Sequence, residues 1–425
     1  MPAIEAANIY KVFGRHAKEG VTRLQNGEDR DALMKDGLNA AVIDASFTVE
    51  EGEMFVVMGL SGSGKSTLIR TVNGLLEPTS GTVHVHGVDV TNASPKQLRE
   101  IRRERVSMVF QHFALFPHRT VRDNAAYGLE TRGVSKAERI EKATEALELT
   151  GLKGWEDKLP GQLSGGMQQR VGLARALAAD TDILLMDEAF SALDPLIRRD
   201  MQDQLIELQH RLHKTILFIS HDLNEAMRLG DRIAMMRAGQ IVQIGTAEEI
   251  LTDPANDYVA KFTHDVDRSR VLTASTVMEP PVAVLGSEQG PRAAHRIMRE
   301  HQLTSLFVVD RDRHLRGVLH EPQVSKAVQE QLDSITSILD TGTLSVTEDT
   351  TVAELLTESA STEVPLAVVD ADERLTGVIP RVTLLNALSH DEEQDDGGSA
   401  EPGASDAATI ALDKPAASTD KEALQ

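Results

Sequence analysis

Short apolar runs alternate with amphipathic stretches along the first 265 residues of the chain. Apolar runs of four to six residues bounded by polar ones are typical of buried strands, whereas spacings of three and four are typical of helices. Their regular alternation predicts an α/β fold with a mainly parallel sheet. Residues 15–40 are a polar stretch inside this region, which we interpret as an inserted short helix. The predicted strands are 55–58, 83–85, 106–110, 183–186, 216–219 and 233–236.

An internal repeat with an offset of sixty residues follows. Val308–Asp310 corresponds to Val368–Asp370, and Gly317 corresponds to Gly377. Each copy is predicted as a helix, a strand, an acidic turn and a second strand, with the helices at 293–300 and 352–358. A chance match of two hairpins is disfavoured because several separated positions share one offset. We therefore expect two small modules, at 273–328 and 329–390, after a linker at 266–272.

Charge is distributed unevenly. The chain of 425 residues has a net charge of -22; residues 1–265 carry 31 Lys and Arg against 38 Asp and Glu, and the remainder carries 13 against 28. Residues 391–425 hold ten acids and two lysines, a net of -8, with little to bury, so we expect a disordered acidic tail. This balance argues against a nucleic-acid partner, because phosphate contacts need a basic face.

Length and composition narrow the class of protein further. A chain of 425 residues is too long for one core, so two or three domains are expected. The chain has no cysteine, which fits a reducing cytosol. It begins without a basic segment followed by an apolar one, and no uncharged stretch reaches about 18 residues. We therefore expect a protein that is neither exported nor membrane-spanning by itself.

A glycine-rich loop, GLSGSGKST, follows the apolar run at 54–58. Its glycines let backbone N–H groups close around a phosphate, Lys65 reaches the β- and γ-phosphate oxygens, and Ser66 offers a hydroxyl to Mg²⁺. The helix that follows presents its positive end to the phosphates. The strand, loop and helix in this order disfavour an incidental Gly/Ser-rich turn. The predicted triphosphate ligands are Gly59, Ser61, Gly62, Ser63, Gly64, Lys65, Ser66 and Thr67.

Two carboxylates end the strand at 183–186, which is apolar on both faces. Acids at the carboxyl end of a buried parallel strand lie where ligands bind in α/β sheets. Asp187 is suited to hold Mg²⁺ through water, and Glu188 is suited to polarise an attacking water. A helix cap is the bland alternative. We favour the functional interpretation because these acids come after a phosphate-binding loop.

Residues 163–170, LSGGMQQR, resemble the signature motif of the ATP-binding cassette (ABC) family. Ser164 is suited to cap a helix running through Ala179, with Gly165 and Gly166 leaving its N–H groups open to a phosphate; a plain helix start is the alternative. The family's usual fifth residue is glutamine, and Met167 replaces it. In the family this helix faces the γ-phosphate bound by the other protomer, so the resemblance implies a homodimer that sandwiches ATP.

Further motifs match the family in order. Gln111 matches the glutamine that senses Mg²⁺ and water, and Asp194 matches the loop that communicates across the dimer. His221 matches the switch histidine, although a lone histidine at the end of a strand is more often structural. Phe13 is the candidate for stacking on adenine, with Tyr10 as competitor and core packing as the alternative. The resemblance implies a P-loop NTPase fold with a RecA-like core and a helical subdomain at 118–170, with ATP and Mg²⁺ as cofactors. It assigns catalysis to Lys65, Gln111, Glu188 and His221, and metal binding to Ser66, Gln111 and Asp187.

The layout is similar to the ATPases of glycine betaine and proline betaine importers. This similarity rests on the insertion after Phe13, on residues 58–64, on DEAFSALDPLIR at 187–198, on PANDYV at 254–259, and on the repeat, which resembles a pair of CBS modules. It implies a peripheral protein at the cytoplasmic face of the membrane, with a permease and an external substrate-binding protein as partners. Residues 111–121 resemble the permease-docking segment, and their Phe113, Leu115 and Phe116 are either exposed for docking or part of the core.

Several alternatives stay open. The ATPase could serve another small solute; a soluble cassette ATPase or an adenylate sensor with a vestigial ATPase is disfavoured by the docking segment and the intact motifs. CBS pairs hold adenine or cyclic dinucleotides in related proteins, but no residue of 273–390 can be assigned to that role. The tail is either a solubiliser or a salt-sensitive element. In the second case its negative charge would either repel an anionic membrane or pair with basic residues such as Lys96, Arg99, Arg102, Arg103 and Arg105, and rising salt would weaken that effect.

Overall fold

The computed structural model describes residues 2–111, 114–191, 193–264, 266–362 and 364–388. The tail at 391–425, expected to be disordered, lies outside the described residues, as does Phe113 of the docking segment. The strands up to residue 265 are β1 (Ile4–Phe13), β2 (Asn39–Val49), β3 (Met54–Met58), β4 (Ser80–Val85), β5 (Val88–Asp89), β6 (Val106–Val109), β7 (Ile183–Asp187), β8 (Thr215–Ser220), β9 (Arg232–Arg237) and β10 (Gln240–Gly245).

The helices of the same region alternate with these strands, as the hydrophobic pattern predicts. They are α1 (Ala17–Gln25), α2 (Arg30–Lys35), α3 (Lys65–Val72), α4 (Pro95–Glu104), α5 (Val121–Ala125), α6 (Tyr127–Thr131), α7 (Lys136–Leu149), α8 (Gly165–Ala178), α9 (Pro195–Leu212), α10 (Leu223–Leu229), α11 (Ala247–Thr252) and α12 (Asp257–Thr263). Among the described residues, none of the helices combines the length and apolarity needed to cross a membrane.

A six-stranded sheet in the order β10-β9-β3-β8-β7-β6 forms the centre of this region. All neighbouring pairs are parallel except β10 with β9. Side chains of a strand alternate between the two faces of its sheet. Val56 and Met58 accordingly enter one apolar core, and Phe55 and Val57 enter the other. Because both faces are buried, these strands read as continuous apolar runs.

An antiparallel sheet, β2-β1-β4-β5, packs against the second of these cores. The polar insertion at 15–40 lies beside its first two strands and contains two helices, α1 and α2, rather than the single short helix expected. The break occurs because Gly27 adopts a left-handed backbone (φ 90°) and Asp29 caps α2 by accepting a hydrogen bond from Ala32 N. Val21 and Leu33 anchor the two helices in a small apolar cluster with Tyr10.

Helices α5 to α8 form a separate helical subdomain with its own apolar core. This core includes Val121, Leu129 and Leu147 and extends along α8 to Ala178. The expected boundary at residue 170 therefore falls inside α8, because one face of this continuous helix packs on the subdomain while Leu173 and Ala176 pack on the core beside the sheet.

The repeat forms two small three-stranded sheets with the same pairing. The strands are β11 (Val284–Gly286), β12 (Ser305–Val309), β13 (Leu315–His320), β14 (Ser345–Thr347), β15 (Leu366–Val369) and β16 (Leu375–Ile379). In each sheet the first two strands are parallel and the last two antiparallel. The helices are α13 (Ala274–Val277), α14 (Pro291–His301), α15 (Glu321–Gln329), α16 (Val352–Ala360) and α17 (Arg381–Leu388).

The two modules exchange their opening segments. Leu272 and Val277 pack in the core of the second module, whereas Ile335 packs in the core of the first. The backbone of Glu279 pairs with Val378, and that of Asp340 pairs with Val318. This exchange explains the repeated glycine. A Cβ on Gly317 would lie 2.3 Å from Asp340 O, and one on Gly377 would lie 2.6 Å from Met278 Sδ.

The residues predicted as a linker, 266–272, are anchored at both ends. Val266 belongs to the apolar core of the first region, and Leu272 belongs to the core of the second module. Beyond them, Thr276 Oγ1 donates a hydrogen bond to Glu248 Oε1 on α11 (2.6 Å). The modules are thus joined to the first region through packed side chains as well as through the chain.

Replacing Gly317 with alanine should destabilise the pair of modules by about 2–3 kcal/mol. The added methyl would overlap the Asp340 carbonyl, and the backbone has a φ of 149° that favours glycine. Chemical denaturation followed by far-ultraviolet circular dichroism measures the effect. Gly161→Ala, which meets nothing within 4 Å, is the matched control. Equal midpoints for the two variants would contradict the close approach.

Candidate functional site

Predicted site residues meet at the carboxyl edge of the six-stranded sheet. The phosphate-binding loop follows β3, His221 follows β8, Glu188 follows β7 and Gln111 follows β6. These four strands are neighbours in the order β3-β8-β7-β6 and are parallel. Carboxyl ends of neighbouring parallel strands open toward one crevice, where ligands bind in such sheets.

The phosphate-binding loop approaches its surroundings too closely for larger residues at two positions. A Cβ on Gly59 would lie 2.2 Å from Met236 O, and one on Gly64 would lie 2.1 Å from Ala41 O. Ser63 in the same loop is 4% exposed, and its Oγ has no hydrogen-bond partner among the described residues. A buried hydroxyl without a partner is costly, and a phosphate oxygen is a fitting acceptor for it. The loop therefore suits a phosphate group.

Lys65 is the first residue of α3, and its ammonium is buried beneath the loop. Its Nζ donates to the carbonyl oxygens of Gly59 (2.7 Å) and Leu60 (3.2 Å) and lies 3.9 Å from Glu188 Oε1. Burial lowers the pKa of Lys65, and the carboxylates of Glu188 and Asp187 act in the opposite direction. A partly desolvated cation at this position gains most from an anionic ligand.

Oxygen atoms suited to Mg²⁺ lie together where β7 meets α3. Ser66 Oγ donates a hydrogen bond to Asp187 Oδ1 (2.8 Å), and Arg70 Nη2 lies 3.4 Å from Asp187 Oδ2. Mg²⁺ prefers hydroxyl, carboxylate, phosphate and water oxygens, so this pair fits part of its ligand set. Arg70 was missed by sequence reasoning, although it lies one helical turn after Ser66 and so shares its face of α3.

Glu188 connects three of the predicted catalytic residues. Its Oε2 accepts a hydrogen bond from Gln111 Nε2 (3.2 Å) and lies 3.4 Å from His221 Nδ1, while Oε1 faces Lys65. The backbone of Glu188 has a left-handed φ of 48°, which is uncommon for a residue with a side chain. Ser191 Oγ stabilises this turn by donating to Glu188 O (2.9 Å). Such conformations concentrate at functional sites.

The signature residues occupy a different part of the structure. Ser164 caps α8, accepting a hydrogen bond from Met167 N (3.3 Å), and it is exposed together with Gly165. Gly166 is buried, and a Cβ there would lie 2.8 Å from Ile197 Cγ2. Within the described part of the chain, no hydrogen bond or ion pair joins these residues to the phosphate-binding loop. Asp194 likewise caps a helix, accepting from the backbone N–H groups of Leu196 and Ile197.

The two aromatic candidates for base stacking differ in exposure. Tyr10 is 7% exposed and belongs to an apolar cluster, whereas Phe13 is 40% exposed. Lys11 Nζ lies 5.1 Å from the centroid of the Phe13 ring and is held by Glu77 O (2.6 Å). The ammonium covers one face of the ring, which directs a stacked base to the other face. The geometry favours Phe13 over Tyr10.

The segment resembling a permease-docking stretch is only partly exposed. Leu115 packs against the core of the helical subdomain, and the Phe116 ring lies 4.6 Å from that of Tyr127. For these two residues the structure favours the core alternative. Phe110, directly before Gln111, borders a neighbouring cavity of about 260 Å³ between this subdomain and β6.

Comparisons with known proteins agree with this geometry. The family model for the ABC transporter matches residues 42–191, and that for the CBS domain matches residues 274–330 and 335–390. The dimeric structure of MJ0796, a bacterial ABC transporter cassette, is 31% identical, covers 57% of this chain and 98% of that chain, and superposes with a TM-score of 0.50.

Longer matches come from transport proteins. The glycine betaine transport ATP-binding protein OpuAA of Bacillus subtilis is 50% identical over 391 residues, 92% of this chain and 93% of that protein. The glycine betaine/carnitine transport ATP-binding protein GbuA of Listeria monocytogenes is 51% identical over 92% of this chain and 99% of that protein. The glycine betaine/proline betaine transport system ATP-binding protein ProV of Escherichia coli is 45% identical over 91% of this chain and 98% of that protein.

This chain therefore belongs to the ABC transporter family, as an ATP-hydrolysing subunit with a pair of CBS domains after its cassette. The resemblance inferred from the motifs is confirmed, as is the α/β cassette followed by the CBS pair.

We expect Phe13→Ala to weaken binding of ATP about three- to tenfold while leaving binding of inorganic tripolyphosphate unchanged. Stacking on an aromatic ring strengthens binding of the adenine base and leaves the contacts to the phosphates unchanged. Competition against a fluorescent ATP analogue measures both affinities. Tyr10→Phe, which keeps the buried ring, is the control. Equal losses for ATP and tripolyphosphate would mean that Phe13 supports the loop and not the base.

Proposed function

We propose that the chain is the ATP-hydrolysing subunit of an importer for a quaternary-amine osmoprotectant of the glycine betaine or proline betaine class. The observation that carries this proposal is the convergence of Lys65, Glu188 and His221 at one sheet edge, in a chain similar over most of its length to glycine betaine transport subunits. An importer ATPase for another small solute is the alternative that the transport assay below separates.

In the proposed mechanism Glu188 orients and polarises the water that attacks the γ-phosphate. Gln111 and His221, both near Glu188 Oε2, fix that carboxylate, and His221 and Lys65 face the charge that develops on the phosphate. Ser66, Asp187 and Gln111 would hold Mg²⁺, which when bound would supply further charge neutralisation at the phosphate oxygens. Positioning and charge compensation supply most of the catalysis in phosphoryl transfer.

A second copy of the chain completes the proposed site. Ser164 and Gly165 are exposed at the start of α8, whose N–H groups are suited to a phosphate. Leu196, next to the Asp194 cap, is 79% exposed and is therefore accessible to a second copy of the chain. We propose that these residues face the ATP held by the loop of the other protomer, as in a nucleotide sandwich.

The groove beside Phe110 is the proposed contact for an integral-membrane permease. Leu75, Tyr127, Arg102 and Arg103 line it together with Phe110. Gln111 follows directly and donates to Glu188, so a permease segment seated in the groove would displace a residue that touches the catalytic carboxylate. An external substrate-binding protein would act through the permease, and the complex would place this chain at the cytoplasmic face of the membrane.

The CBS pair is the proposed regulatory part. Its modules meet through the apolar side chains of Phe307, Val318, Leu375 and Val378. Adenine or a cyclic dinucleotide is the ligand class that the resemblance to CBS modules suggests. A ligand that changed the packing between the modules would act on the cassette through the anchored segment 266–272.

Glu188→Gln should keep ATP affinity but lower turnover by a factor of about a hundred or more, because the amide polarises water poorly. With ATP and Mg²⁺ the variant should accumulate as a dimer. Phosphate release measures turnover, and size-exclusion chromatography measures the dimer. Glu145→Gln, at an exposed acid on α7, is the control. Turnover equal to that of the control would remove Glu188 from its proposed role.

Transport is tested with the chain, its permease and its binding protein reconstituted in lipid vesicles. We expect uptake of labelled glycine betaine when ATP is on the side of the cassette, competition by proline betaine, and no uptake with Lys65→Met. Uptake displaced by a different solute class would favour the alternative importer. Failure of the chain to co-purify with any permease would contradict the coupling to transport.

A further inference from the structure

A buried carboxylate lies behind the loop that carries His221, and the mechanism above does not use it. Glu225, in the first turn of α10, is 7% exposed. Its Oε2 accepts a hydrogen bond from Ser220 Oγ (2.5 Å), and its Oε1 accepts one from Gln202 Nε2 (3.0 Å). Burial raises the pKa of the Glu225 carboxyl. A buried carboxyl group is costly unless it is hydrogen-bonded, so these two donors determine where it lies.

Both neighbours of His221 in the chain are fixed by these contacts. Ser220 Oγ, which donates to Glu225, also accepts a hydrogen bond from Asp222 N (2.9 Å). Asp222 Oδ1 accepts from Glu225 N (3.3 Å), and its Oδ2 lies 3.3 Å from Arg198 Nη1. The His221 side chain itself is 52% exposed, and its Nδ1 lies 3.4 Å from Glu188 Oε2. Its backbone is therefore held firmly while its imidazole reaches into the crevice.

The far ends of these contacts lie on α9. Arg198 and Gln202 are one helical turn apart on this helix, and Arg198 Nη2 also donates to Leu193 O (3.2 Å). The helix begins at the Asp194 cap. Side chains of this helix thus contact Leu193 and Asp222 directly, and they reach Ser220 through Glu225.

We propose that Glu225 is a positioning residue for ATP hydrolysis, which fixes the backbone at His221 through Ser220. The inference rests on the proposed role of His221 in hydrolysis. Glu225 touches none of the reacting atoms. Its effect is to hold the imidazole within reach of Glu188 and of the γ-phosphate. If Glu225 only stabilised the fold, replacing it would lower stability without changing the position of the imidazole.

Glu225→Gln keeps the shape of the side chain but leaves one of the two donors facing an amide N–H. We expect the kcat for ATP hydrolysis to fall about tenfold with the KM for ATP nearly unchanged, because a hydrogen bond to the Glu225 side chain is lost and the contacts to ATP remain. Ser220→Ala should reproduce this effect. In a His221→Ala background, Glu225→Gln should cause no further loss, because the two act in series. Glu207→Gln, at an exposed acid on α9, is the control.

The imidazole is observed directly by NMR of ¹⁵N-histidine-labelled protein, with the His221 signals identified by their loss in His221→Ala. A shift of these signals in Glu225→Gln and Ser220→Ala, absent in the control, supports the proposal. Unchanged signals and kcat with a lowered Tm would overturn it. If His221→Ala alone hydrolyses ATP normally, the proposed role of His221 fails, and the NMR signals alone decide whether Glu225 positions the imidazole. Should Glu225→Gln fail to fold, Ser220→Ala carries the same test.

Discussion

The alternation of side chains along the central parallel strands is the constraint on which the catalytic crevice depends. Val56 and Phe55 enter different apolar cores, and a slip by one residue would exchange them. Fixed register makes the strands end together, so Lys65 and Glu188 come within 3.9 Å of each other although they are far apart in the chain. The burial of ordinary aliphatic side chains thereby sets the geometry of the charged groups.

Charges in the crevice are compensated by the chain itself in ways that favour an incoming phosphate. Lys65 is held by backbone carbonyls, Asp187 is near Arg70, and Glu188 is shared between Gln111 and His221. For Lys65, these neutral carbonyl acceptors are weaker partners than the charged phosphate oxygens of a bound triphosphate. The left-handed backbone at Glu188 adds local strain that the surrounding hydrogen bonds sustain.

Elements with a strong local pattern could be predicted from the sequence. The phosphate-binding loop and the acids after β7 are written in contiguous residues, and the repeat shows as one constant offset, so spacing alone identifies all three. Contacts that depend on distant segments could not be predicted. Arg70 beside Asp187, Glu225 beneath Ser220 and the exchange of segments between the modules require knowing which helix faces which strand. The choice of Phe13 over Tyr10 likewise depended on which ring is buried, and the sequence alone does not show this.

The exchanged segments of the CBS pair have a consequence for inheritance and engineering. Each module pairs with a backbone segment from the other: Val378 pairs with Glu279, and Val318 pairs with Asp340. Because each module needs a segment of the other to complete its fold, a deletion, a graft or a proteolytic cut between them would remove part of both folds. Variation along this lineage should accordingly gain or lose the two halves together, and chimaeras should be joined outside the pair.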